Sequence, residues 1–345
     1  MTQLRASAEW RLFSYNWIPI GLMALTLAAA LALTGFTIKP DSVLFPFGAA
    51  AVYAAIAYNN AHKPHKGDPM VVFVLGSTAQ VLLITLIMTP ISYIAASAAL
   101  PMTDARLDYL DRALGLDWRS YFEFFNQRPQ LAPCLAFGYR MIVLPVFAIP
   151  LALVLGRRYR RLQEFTLAFA LALAATTVIS IFVPAIGTYD QLGINLEHAT
   201  LSPDGYFDTL RELPLVRDGS LRELDVGKLA GIITFPSFHA AAAVLYLWAL
   251  WGVWWMRPFA LIANGAMLVA TPIGGGHYFV DVIAGAAVAV LAIIAALRIS
   301  ERLLERAASS SPAPVEAPVA VTAAGEVIGP SKSPNNRLLG LLARH

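Results

Sequence analysis

Eight apolar stretches run through the sequence, at about 17–36, 43–58, 70–99, 131–155, 165–186, 238–255, 259–273 and 280–297. Most approach the roughly 20 residues with which a helix crosses about 30 Å of hydrocarbon. Helices are the open-ended structure that satisfies its own backbone in lipid. The expected fold is therefore all-α, a polytopic transmembrane bundle of about eight helices, in which the short second and seventh stretches are tilted or re-entrant pieces. Charge agrees, because only 14% of the 345 residues are charged against about 25% in soluble domains, so a water-soluble enzyme is excluded. The net charge of +3 comes without a basic, aromatic-interleaved face, which removes nucleic acid as a partner. Cys134 is the only cysteine, so neither an intrachain disulfide nor a thiolate metal cluster can form.

The first stretch follows Arg5 and Arg11 and is too long for the apolar part of a typical signal peptide, so it reads as a membrane helix. With the N-terminus inside, the even connections carry Lys63, Lys66, Arg157, Arg158, Arg160, Arg161 and Arg257, and the exit carries Arg298, Arg302 and Arg306. The short odd connections carry almost no basic residue, so both termini are expected in the cytoplasm. The connection at 100–130 joins Asp104, Arg106, Asp108, Asp111 and Arg112 to Trp118, Tyr121, Phe122, Phe124 and Phe125. That pattern suits one or two interfacial helices, acting as a lid or as packing. Residues 1–306 are expected to form the membrane domain. The Ala/Pro/Ser-rich segment 307–345 lacks periodicity and is expected to be a disordered cytoplasmic tail.

Ionisable groups at the ends of apolar helices are the first functional candidates. His239 opens the sixth stretch within Phe235-Pro236-Ser237-Phe238-His239-Ala240, and His277 and Asp281 open the eighth behind Gly274, Gly275 and Gly276. If the seventh stretch returns the chain, both openings share the extracytoplasmic side. The four-residue spacing puts the Asp281 carboxylate within reach of one ring nitrogen of His277. The contact would fix the tautomer and stabilise charge on an attacking imidazole. His239 would then give a proton to the departing oxygen and take one from the incoming hydroxyl. Pro236 suits a first helical turn, leaving amides near Ser237 and Phe238 for an anion, and the glycines let backbone approach a phosphate.

FPSFHA and GGGHYFVDVIAG, at 235–240 and 274–285, resemble the second and third signature motifs of the type 2 phosphatidic-acid phosphatase superfamily. The resemblance is to the branch containing inositol phosphorylceramide synthase and sphingomyelin synthase. It is good over about 165–297, with the catalytic motifs inside 187–297. It implies a six-helix phosphatase-like core, a phosphohistidine on His277, Asp281 as its partner, His239 as general acid and Ser237 beside the phosphate. The first-motif lysine and Arg-Pro pair have no match, and Thr271 and Pro272 stand where the phosphatases carry Ser-Arg. The synthase branch lacks that arginine too, which favours head-group transfer.

The missing cation must come from elsewhere. Arg217, Arg222 and Lys228 precede the sixth stretch and Arg140 lies in the outer part of the fourth, while Tyr189 could line the head-group pocket. His62, His65 and His198 lack the neighbours of a metal site. The expected protein is a lipid head-group phosphotransferase needing no cofactor or metal, with a phospholipid donor and a lipid alcohol as acceptor. The alternatives are a phosphatase using water, on phosphatidate or an isoprenyl pyrophosphate, and a non-enzymatic transporter or scramblase. Oligomeric state is left open.

Overall fold

A computed structural model describes residues 7–63, 67–196 and 199–309. Arg5, His65, Lys66, His198 and the proposed tail from 310 lie outside the described residues. Two compact units divide after Leu303, and apart from the last residues of the final helix all that follows concerns the first.

The helices among the described residues are α1 (Ala8–Tyr15), α2 (Trp17–Thr34), α3 (Pro40–His62), α4 (Pro69–Ala96), α5 (Asp104–Ala113), α6 (Trp118–Asn126) and α7 (Ala132–Arg140). They continue as α8 (Leu144–Leu155), α9 (Tyr159–Phe182), α10 (Thr188–Gln191), α11 (Asp204–Asp218), α12 (Phe238–Trp251), α13 (Arg257–Gly274) and α14 (Phe279–Ser309). Six segments are long and apolar enough to cross a membrane, namely Ala8–Thr34, Pro40–His62, Pro69–Ala96, Tyr159–Phe182, Trp254–Gly274 and Phe279–Arg306. The protein is an all-α, multi-pass integral membrane protein.

Every apolar stretch of the sequence is helical, but the irregular ones are not those expected. α3 and α13 have 23 and 18 residues and are full length. The fourth stretch is the broken one, with α7 and α8 meeting at 62°. Pro145 explains this, because it has no N–H for the Met141 carbonyl and its ring crowds that carbonyl. The sixth stretch, α12, is the shortest at 14 residues.

α4 and α9 form the middle of the bundle, buried along most of their length. Asp68 caps α4 by accepting from the Met70 amide at 2.8 Å, with Pro69 preset in the first turn. α12 packs against α9 and α13 through Ala240 to Ala243, all fully buried, and these small side chains let helices approach closely. α5 and α6 are too short to span. They bury one face each, through Leu107 and Asp111, and through Trp118, Phe122 and Phe125. A two-residue parallel ladder, Thr37 with Glu223 and Ile38 with Leu224, ties the exit of α2 to the approach of α12.

Candidate active site

The N-terminal ends of α12 and α14 meet at one point. Ser237 is the N-cap of α12, and its Oγ accepts from the Ala240 amide at 3.4 Å. Its own amide donates to the Asp281 carbonyl at 3.0 Å, which stitches the two helices together. Pro236 therefore lies one residue before the cap rather than in the first turn. Gly285, one turn along α14, allows this approach, because a Cβ there would collide with the Ser237 carbonyl oxygen and lie 3.2 Å from the Ala240 methyl. Gly285→Val is expected to lower stability by about 1–3 kcal/mol, read as a lower melting temperature in detergent. An unchanged melting temperature would mean that the helices separate there at no cost.

His277 and Asp281 are buried side by side, with Nδ1 3.4 Å from the Asp281 Oδ2. The same oxygen accepts from the Tyr278 amide at 2.9 Å, so the carboxylate is held against the turn that carries the imidazole. With Asp281 ionised, Nδ1 bears the proton and Nε2 keeps its lone pair. Nε2 lies 3.3 Å from the Ser237 Oγ. The preceding turn needs Gly276, which sits at φ +63°, and its carbonyl accepts from the Thr188 amide at 2.8 Å. Gly275 lies directly under the imidazole.

His239 reaches the same space from α12. Its ring stacks on Tyr139 of α7 with centroids 4.0 Å apart and planes within 12°. Neither of its ring nitrogens has a hydrogen-bond partner among the described residues, so both are available to a ligand. His239, His277, Gly275 and Tyr139 line one cavity of about 430 Å³. The remainder of the wall is mainly hydrocarbon from α4, α8 and α9, including Leu82, Leu86, Val146, Phe147 and Leu173. Among the described residues, no lysine, arginine, aspartate or glutamate lines it.

The candidates for the cation clamp lie away from this wall. Arg140 pairs with Asp204 at 2.5 Å, and Arg217 donates to the Leu100 carbonyl at 2.8 Å. Arg222 lies over the Phe36 ring at 4.4 Å, and Lys228 sits 3.6 Å from Asp225 with its side chain 81% exposed. None of the four faces the cavity. Tyr189 is not a pocket residue either. Its hydroxyl donates to the Ile273 carbonyl at 2.8 Å and its ring packs edge-on against Trp118, so it supports the turn from behind. His62 is exposed and hydrogen-bonds the Tyr58 carbonyl, and no metal-ligand cluster occurs among the described residues.

The connection at 100–130 does more than cover the site. Asp111 accepts from the Phe279 and Val280 amides, both at 2.8 Å, and so caps α14 beside His277. Burial pushes its carboxyl above the usual carboxylate range, and those two amide bonds pull it back. Trp118 donates from Nε1 to the His277 carbonyl at 3.1 Å. Asp104 accepts from the Tyr278 hydroxyl at 3.0 Å and from the Gly187 amide at 2.8 Å. Sequence reasoning placed these residues in interfacial helices, as a lid or as packing, but named none of them as a partner of the His277 turn. Their only signal was carboxylates where such helices bury a face. Tyr139 offered no signal at all.

A protein-family model described as the PAP2 superfamily matches residues 105–295. The chain belongs to the PAP2 superfamily. No curated protein and no solved structure matches it. PAP2 superfamily members are phosphatases and phosphotransferases, which makes this protein an enzyme of phosphorylated substrates. The match to the PAP2 superfamily starts inside α5, well ahead of 165, and so takes in the helices that hold the His277 turn.

Proposed function

We propose that this protein moves a phospho-head group from a phospholipid to a lipid alcohol through a phosphohistidine, as in the branch of inositol phosphorylceramide synthase. Nε2 of His277 attacks phosphorus and the bond to the diacylglycerol oxygen breaks, that oxygen taking a proton from His239. The acceptor hydroxyl then attacks phosphorus, gives its proton to His239 and releases the His277 nitrogen. Asp281 holds the Nδ1 proton throughout and offsets the positive charge on the phosphorylated ring.

The single observation that carries this reading is a cavity with two imidazoles at one end, hydrocarbon along most of its length and no lysine or arginine among the described residues of its wall. A phosphodiester brings one negative charge, which one protonated imidazole balances. A phosphomonoester or pyrophosphate brings at least one more. Across the imidazole, at about 7 Å and an effective dielectric near 20, each further unit of charge repels Asp281 by about 2 kcal/mol, with no guanidinium among the lining residues to offset it. The apolar wall suits acyl chains. Arg157, Arg158, Arg160, Arg161 and Arg257 lie at the opposite ends of the same helices, and the positive-inside rule then favours an extracytoplasmic cavity.

The test is a radiolabelled phospholipid in detergent, with and without a long-chain alcohol. Label appearing on the alcohol is the expected result. Release of free head-group phosphate alone, unaffected by the alcohol, would overturn transfer in favour of hydrolysis.

A further inference from the structure

At the far end of the bundle, the turn between α8 and α9 faces the ends of α12 and α13 across a second cavity, of about 470 Å³. Among the described residues, its wall carries Arg157, Arg158, Arg160, Arg161 and Arg257 against two carboxylates, Glu9 and Glu164. Glu164 is already engaged, accepting from Arg160 at 2.7 Å and from Ser300 at 2.9 Å. Two of the guanidiniums are held in place. Arg161 donates to the Trp248 and Ala249 carbonyls and lies over the Trp248 ring. Arg257 donates to the Trp251 carbonyl at 3.0 Å and lies over that ring. Arg157 and Arg158 have no side-chain hydrogen bond or ion pair among the described residues. Arg157 also sits at φ +55°, a conformation costly for any side-chain-bearing residue.

The surroundings say what the anion is attached to. Trp254 and Trp255, 76% and 48% exposed, stand just before Arg257 in the chain, as residues of an interfacial aromatic belt would. Leu151 and Leu155 lead into the arginine turn and Phe259 and Ile262 lead away from Arg257, all exposed as on a lipid-facing wall. We propose that this cavity is a binding site for the phosphate of an anionic phospholipid, drawn from the leaflet opposite the His277 cavity. The arginines grip the phosphate oxygens, the tryptophans sit at head-group level and the acyl chains run along the exposed leucines.

The test is native mass spectrometry of the full chain carrying His277→Ala, so that no lipid is turned over, titrated with phosphatidylglycerol or with phosphatidylcholine. Adding Arg157→Gly and Arg158→Gln is expected to weaken phosphatidylglycerol binding by about 10- to 30-fold and to leave phosphatidylcholine binding unchanged. Lipid held in the His277 cavity is untouched by those two changes, so only the arginine-dependent part reports this site. Glycine accepts the left-handed backbone at 157, so the lipid-free melting temperature should not fall. Unchanged phosphatidylglycerol affinity in the double variant would overturn the proposal. So would displacement of phosphatidylglycerol by equimolar inorganic phosphate, which would mark a soluble-anion site.

Discussion

His277→Ala is expected to lower turnover by at least about 10⁴-fold while the protein still folds, since the change removes a ring that contacts only Ser237 and Asp281 by hydrogen bonding. Covalent transfer has no equivalent substitute for the Nε2 lone pair, because the Ser237 Oγ has no hydrogen-bonded base other than His277 among the described residues, and His239, the other imidazole of the cavity, has no carboxylate partner there to support it as a nucleophile. Asp281→Asn is expected to come close to the same loss. An amide in that place can donate to Nδ1, which selects the tautomer with its proton on Nε2 and blocks attack. The measurement is single-turnover transfer in detergent, together with trapping of acid-labile label on the protein. Label should be trapped on the wild type and be absent from both variants. Activity retained by His277→Ala would refute the phosphohistidine and leave the superfamily match without this mechanism.

Asp111→Ala is expected to destabilise the protein by about 2–4 kcal/mol and to reduce kcat more than it raises KM. The carboxylate accepts two amides of the first turn of α14, and alanine would leave both donors without a partner beside a buried imidazole. Substrate would still enter, because Asp111 does not line the His277 cavity. The effect on kcat would come from a looser His277–Asp281 pair, since the same turn carries both. Asp111→Asn keeps the shape and one acceptor oxygen and is expected to fall between wild type and alanine. Melting temperature and the split between kcat and KM provide the check. Equal melting temperatures for wild type and Asp111→Ala would show that solvent serves those amides as well as the carboxylate does.

What could be read directly from residues was whatever depends on near neighbours in the chain. Uninterrupted hydropathy located all eight apolar stretches, and the spacing of four paired His277 with Asp281 before any coordinates. The break between α7 and α8 was less legible, because hydropathy does not register Pro145 as an interruption. The positions of the candidate clamp residues away from the cavity were illegible for a related reason. A count of arginines near the motifs cannot tell which ones already have partners. Arg140 is held by Asp204, 64 residues away, and Arg217 by the Leu100 carbonyl, 117 residues away.

The sequence by itself determined the solvent, the helical class and the catalytic candidates, because apolar length and helical period act over one or a few turns. Only the tertiary structure decided that the His277 cavity is walled mainly by hydrocarbon, with no lysine or arginine among the described residues that line it. It alone brought Asp111 and Trp118, more than 150 residues away in the chain, onto the His277 turn. Such contacts arise where separate helices converge, and their energy depends on which polar groups are left to find one another once the apolar faces have packed.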